Sequence, residues 1–193
     1  MVIICISVVG EEYNIVLRNR IRRVPVTVRG THYIHEYLVL PDVCAVVAET
    51  AEGVVLVEQY RPALGRRILE LPAGRLHRGE EPVQGARREL QEETGYCAGD
   101  LRLLSRFYPS VGLSKHKVHL YYTVDPTPGE MHWDATEEIV VKIIPAGEVP
   151  NLLVEGRAAD AKTHLGLVYF LNSRGWVFKR GRWRPESNDA TPL

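Results

Sequence analysis

One segment, Pro82 to Thr94, carries the signals for both ends of a helix, in a chain otherwise written as short β-rich runs. Glu80 and Glu81 put negative charge where a helix N-terminus presents unpaired N–H groups. Pro82 has the φ and the missing N–H that suit a first helical position, and Gly95 supplies a left-handed stop. At about 100° per residue, Val83, Ala86 and Leu90 share one stripe, which must face a core. Around this helix, Tyr13–Leu17, Val24–Val28, Tyr33–Leu40, Val43–Ala48, Gly53–Gln59, Leu101–Phe107, Lys117–Val124 and Glu138–Ile144 read as strands. Ile68–Leu71 is a short apolar run, Pro41-Asp42 a turn, and Glu49 to Gly53 a hairpin. Ala146–Glu155 and Ala158–Ser173 read as helices. Strands dominate the first part and helices close the second, so the expected class is α+β, with one main domain in which helices cover a sheet.

The division expected is a β-rich segment over residues 1–40, a main domain over 41–180, and a tail over 181–193. That tail is polar and Pro-containing and is expected to be loose. Met1–Val9 is apolar but too short to span a membrane and lacks the basic start of a signal peptide; it reads as a strand. Twenty-four basic residues balance 24 acidic ones. That leaves no basic footprint for nucleic acid. Cys5, Cys44 and Cys97 are odd in number and widely spaced, which fits neither a disulfide framework nor a zinc site and points to a reducing cytoplasm.

The chemistry lies on the central helix. Glu89, Glu92 and Glu93 fall together at i, i+3 and i+4 beside the apolar stripe, with Glu93 at its edge. Like charges at this spacing repel, and partial burial makes the repulsion worse. A solvated acidic face is the ordinary origin of such a cluster. The other origin is a cation site, and oxygen donors alone suit Mg²⁺ or Mn²⁺ acting with substrate phosphates. Two neighbours favour the cation. Gly85, one turn earlier, is expected to leave room above the carboxylates, although an interior Gly costs about 1 kcal/mol against Ala. In Leu71-Pro72-Ala73-Gly74, Gly74 permits close approach of backbone to a ligand.

Gly74, five residues, Glu80, seven residues, and then Arg88-Glu89-Leu90-Gln91-Glu92-Glu93-Thr94-Gly95-Tyr96 resembles a complete Nudix box, every fixed position of which is filled. The resemblance implies a Nudix-type α/β/α sandwich with a mixed sheet and a loop–helix–loop that holds divalent metal. Its ligands would be Glu89, Glu92, Glu93 and the carbonyl of Ala73, with Arg88 and Glu80 orienting the carboxylates. Val57-Glu58-Gln59-Tyr60-Arg61-Pro62, Leu69 to Gly74, and Phe107-Tyr108-Pro109-Ser110 look like the ADP-ribose pyrophosphatase branch. That branch implies hydrolysis of ADP-ribose or a related ADP-sugar with Mg²⁺ (or Mn²⁺), and a homodimer through the N-terminal segment.

In that branch Arg61 would contact substrate, a role that suits its permanent charge and forked donors. Glu137, from the long polar loop before Glu138, would be the general base, with Glu92 the competing candidate. The catalytic set implied is therefore Glu89, Glu92, Glu93 and Glu137. Val111 and His116 depart from the branch pattern and leave substrate choice open among ADP-sugars, FAD, NADH and GDP-mannose. A non-catalytic ADP-ribose-binding regulator is the alternative from another class. His116 and His119 would face opposite sides of one strand and make a poor shared ligand pair. His164, in an apolar helix, reads as a packed core or surface histidine rather than a ligand.

Overall fold

The computed structural model describes residues 3–8, 11–16, 21–131 and 138–186, and the chain divides into two compact units. The first joins Met1–Pro41 to Tyr108–Lys117, so ten residues from after the central helix belong with the N-terminal segment. It contains β1 (Ile3–Val8) paired with β2 (Glu11–Val16), and β3 (Ile21–Val28) paired with β4 (Thr31–Leu38), both antiparallel. Arg29 and Gly30 turn the second hairpin, both at positive φ (51° and 80°), the geometry that matches the twist of tight hairpins. Leu38 clasps the downstream stretch: its N–H donates to Leu113 O, and its carbonyl accepts from Lys115 N, each at 2.9 Å. His116 lies outside any strand, its Nδ1 2.9 Å from Ser114 Oγ, which corrects its expected place in a strand with His119.

The second unit is built on β5 (Val43–Glu49), β6 (Val54–Arg61), β7 (Arg66–Glu70), β8 (Ala73–Arg75), helix α1 (Pro82–Thr94), β9 (Tyr96–Cys97), β10 (Arg102–Phe107), β11 (Val118–Val124), β12 (Thr127–Pro128), β13 (Ile139–Ile144), helices α2 (Val149–Val154) and α3 (Ala161–Ser173), β14 (Trp176–Lys179) and β15 (Arg182–Pro185). The main sheet runs β10-β11-β5-β6-β13, with β7 on β6 and β8 on β5. It is mixed: β11 runs parallel to β5, and the other pairings are antiparallel.

Cys44 to Ala48 on β5 are fully buried, because this strand is covered on both faces. Ala45 and Val47 pack with Leu167, Phe170 and Leu171 of α3 and with Leu152 and Leu153 of α2. Cys44, Val46 and Ala48 pack with Ala86 and Leu90 of α1. The result is a helix–sheet–helix sandwich in which α1 has one face to itself. Ala86 and Leu90 are buried and Val83 packs at the edge, as the stripe required, and Gly95 ends the helix at φ 72°.

Two helices begin later than expected from the sequence, at Val149 and Ala161. Asp160 sets the second start: its side chain accepts the N–H groups of Lys162 (3.0 Å) and Thr163 (3.1 Å), an N-cap. The tail expected to be loose from Gly181 opens instead on β15, which pairs with β14. Trp176 and Trp183 from this hairpin pack against the core beside α3. The long polar loop after Val124 also contains structure, since Thr127–Pro128 pairs with Tyr96–Cys97. Among the described residues no helix is long and apolar enough to cross a membrane.

Candidate active site

Antiparallel pairing of β8 with β5 sets Ala73 opposite Ala45 and Gly74 opposite Cys44, beneath the acidic face of α1. Glu93 is buried, and its Oε2 accepts the N–H of Ala73 at 2.9 Å, so one carboxylate of the helix is fastened to the loop expected to supply a ligand. Glu89 lies against Gly74, where a Cβ would overlap its carboxylate. Gly74 is therefore an excavation for Glu89, and its φ is not in the left-handed region. Gly74→Ala is expected to fold but to displace Glu89 and lower kcat by about 10²-fold, the scale of an ångström-sized misplacement. Steady-state rates beside a thermal melt check this.

Gly85 does something other than expected. A Cβ there would strike Leu76 and press on Glu80 Oε2 and Cys44 Sγ. The glycine lets α1 settle onto the loop and β5, and it does not open space above the carboxylates. Cys44, sealed beneath, has its thiol pushed up to about 12, by burial first and then by the charge of Glu89. It is inert packing.

Arg88 is the hub of the acidic face. Its Nε and Nη2 donate to the two oxygens of Glu80 (2.9 and 3.0 Å), and its Nη1 is shared between Glu89 and Glu92, both at 2.8 Å. Nη2 also reaches Arg75 O at 3.1 Å. The forked bond to Arg88, with help from the His77 N–H, holds the Glu80 carboxyl down at about 2. The carboxylates reinforce the Arg88 charge in turn. One guanidinium thus aligns three acids and leaves a net negative charge on the face.

Among the described residues no three acidic, His or Cys side chains already form a ligand set for one ion. Glu89 and Glu92 are held on Arg88, and Glu93 on Ala73. The donors nevertheless fit a hard divalent cation: they are all oxygen, they sit on one helix face, and Gly74 is cut away beside them.

Arg61 ends β6, and its guanidinium grips Glu70 at the end of β7, through Nε to Oε1 and through Nη2 to Oε2 at 3.0 Å. Its positive charge is reinforced by Glu70 first, and Glu93 and Asp160 act on it as well, which puts Arg61 within the field of the acidic helix. Glu137 lies outside the described residues, although the next residue is anchored: Arg67 Nη2 donates to Glu138 Oε1 at 3.1 Å. His119 is a buried packing residue and His164 a surface one. His119 is buried on β11 with Nε2 3.2 Å from Asp42 Oδ2, and His164 Nδ1 is 2.9 Å from Ala158 O.

Sequence reasoning gave no role to Glu70, Lys162 and Asp160, which meet around the buried Glu70 carboxylate behind Arg61. The available signals were an acid inside the apolar run Ile68–Leu71 and an N-cap Asp160 three residues before Thr163.

A sheet covered on both faces, with a loop and helix that array carboxylates around one arginine, is the arrangement of a Nudix hydrolase. The chain matches the NUDIX domain family over residues 39–165 and belongs to that family. It is 39% identical to the ADP-ribose pyrophosphatase of Bacillus subtilis (strain 168) over 132 residues, 67% of this chain and 71% of that one. It is 37% identical to the methanol dehydrogenase activator of Bacillus methanolicus, over 67% of this chain and 71% of that one. The solved structure of an ADP compounds hydrolase superposes with a TM-score of 0.71 at 20% identity, covering 81% of this chain and 86% of that one, and shares the fold.

Proposed function

We propose that this Nudix enzyme hydrolyses the pyrophosphate linkage of ADP-ribose or a related ADP-sugar to AMP and a sugar phosphate. The observation that carries the reading is the clamped acidic helix over Ala73 and Gly74, with Arg61 in its field, in a chain whose relative is an ADP-ribose pyrophosphatase. Glu89, Glu92, Glu93 and the Ala73 carbonyl would hold Mg²⁺, with Mn²⁺ as a substitute. Bound there, a divalent cation neutralises phosphate charge and acts as a Lewis acid.

The protein's own groups do the rest. Arg88 and Glu80 keep the carboxylates oriented. Arg61 binds a phosphate. Glu137, or Glu92 in its place, takes the proton of the attacking water as the P–O bond to the leaving phosphate breaks. Most of the acceleration comes from positioning and charge stabilisation.

The test is product analysis over ADP-ribose, other ADP-sugars, GDP-mannose, FAD and NADH with Mg²⁺ and with EDTA. AMP and ribose 5-phosphate from ADP-ribose, lost in EDTA, is the expected result. Faster turnover of GDP-mannose or a dinucleotide would move the substrate. Tight ADP-ribose binding without turnover would make the protein a regulator.

We further infer a cytoplasmic homodimer in which residues from about 12 to 40 complete the partner's site. Val28 of β3 and Tyr33 and Ile34 of β4 are large and exposed, and Cys44 and Cys97 are free thiols. Both observations support this reading. Sedimentation should find a dimer at working concentration. An active monomer, or full activity after deletion of the segment, would end it.

A further inference from the structure

Arg61 belongs to a four-charge cluster drawn from two distant parts of the second unit, β6–β7 and the start of α3. Glu70 is its centre, a carboxylate only 4% exposed that receives two cations: the fork of Arg61, and Lys162 Nζ at 2.5 Å. Lys162 also reaches Asp160 Oδ1 at 3.0 Å. Asp160 is itself immobilised, capping α3 and accepting the Thr163 hydroxyl at 2.6 Å. The same hydroxyl oxygen accepts the N–H of Leu71 at 2.9 Å, two residues before Ala73. The two acids and two bases cancel.

The two cations are not equivalent. Arg61 is 40% exposed and Lys162 is 14% exposed, so Lys162 is the fixed inner partner and Arg61 the one that meets solvent. A guanidinium has five N–H groups in one plane. Glu70 takes Nε–H and one hydrogen of Nη2, and the Nη1 edge remains for an anion. The direction of that edge is dictated by Glu70, whose Oε2 is pinned by Lys162. Lys162 has a second electrostatic effect. A buried carboxylate needs a full counter-charge. Lys162 shares the neutralisation of Glu70 with Arg61, while Asp160 takes part of the Lys162 charge.

We infer that Lys162 is a positioning residue for Arg61, acting through Glu70, and that it sets how tightly the enzyme holds the phosphates of its substrate. This rests on Arg61 being a phosphate contact. If Lys162 merely tied α3 to β7, its loss would lower the melting temperature without a selective effect on substrate binding.

The test is a double-mutant cycle on the full chain. It reads ADP-ribose binding by calorimetry in EDTA, then KM and kcat with Mg²⁺, with circular dichroism to confirm folding. Lys162→Met is expected to weaken binding and raise KM by about tenfold while kcat changes by less than about threefold. Lys162→Arg should restore binding to within about threefold. In an Arg61→Ala background Lys162→Met should add nothing, since residues acting through one contact are not additive. Unchanged binding in Lys162→Met, or an equal further loss in the Arg61→Ala background, overturns the inference. Wild-type binding by Arg61→Ala alone removes Arg61 from the substrate, and the inference with it. That failure is told apart because it involves no change at Lys162. Should Lys162→Met not fold, Lys162→Gln is read through the same cycle.

Discussion

Glu93→Gln is expected to give a folded protein whose divalent-dependent kcat is lower by about 10³-fold, the size of several kcal/mol of lost charge stabilisation. Glu93 is the buried member of the acidic face and the one fastened to Ala73. An amide oxygen can still accept that N–H, so the loop should keep its place. The negative charge disappears, and with it both a hard oxygen donor and part of the repulsion with Glu89 and Glu92. The melting temperature should therefore hold or rise while activity collapses, a split that a folding defect does not produce. Titration of Mn²⁺ followed by electron paramagnetic resonance gives a second reading, in which the variant should bind the ion more weakly. Activity near that of the wild type with Mg²⁺ would remove Glu93 from the site.

The second large effect is expected from Glu137→Gln, with kcat reduced by about 10²–10⁴-fold and little change in KM, the range for loss of a general base. An attacking water needs an acceptor that can turn toward it. Glu89 and Glu92 share a hydrogen-bond donor in Arg88, and Glu93 has Ala73. A carboxylate tied to a guanidinium or a backbone N–H is held in place and cannot turn toward the water. A base brought in by a separate loop escapes this. Arg67 anchors Glu138, the residue that follows Glu137, beside β7. The acidic limb of the pH–rate profile should change with the substitution. An unaltered kcat in Glu137→Gln, alongside an inactive Glu92→Gln, would transfer the role to Glu92.

Much of the site was legible before any coordinates, because its information is local. The ends of α1 are written in Pro82 and Gly95, and helical periodicity alone puts Glu89, Glu92 and Glu93 on one face beside Leu90. The inner strands are legible for a similar reason: β5 is apolar from Val43 to Ala48 because it is covered on both faces. The local rules failed where a residue's neighbour is remote. Helical spacing suggests that Gly85 makes room above Glu89, Glu92 and Glu93, whereas what it clears is Leu76, Glu80 and Cys44. His116 was read with the strand that follows it, and it belongs with the segment that Leu38 clasps.

By itself, then, the sequence determined the class, the central helix and its acidic face, since each depends on residues within a few positions of one another. Tertiary structure decided what those acids touch. Lys162 meets Glu70 across 92 positions, and Ala73 meets Glu93 across 20. Both contacts exist only after β7 and β8 have paired into the sheet and α1 and α3 have packed on its opposite faces. No periodicity in a linear pattern encodes such a meeting, because burial and hydrogen bonding are satisfied between elements that chain closure alone brings together.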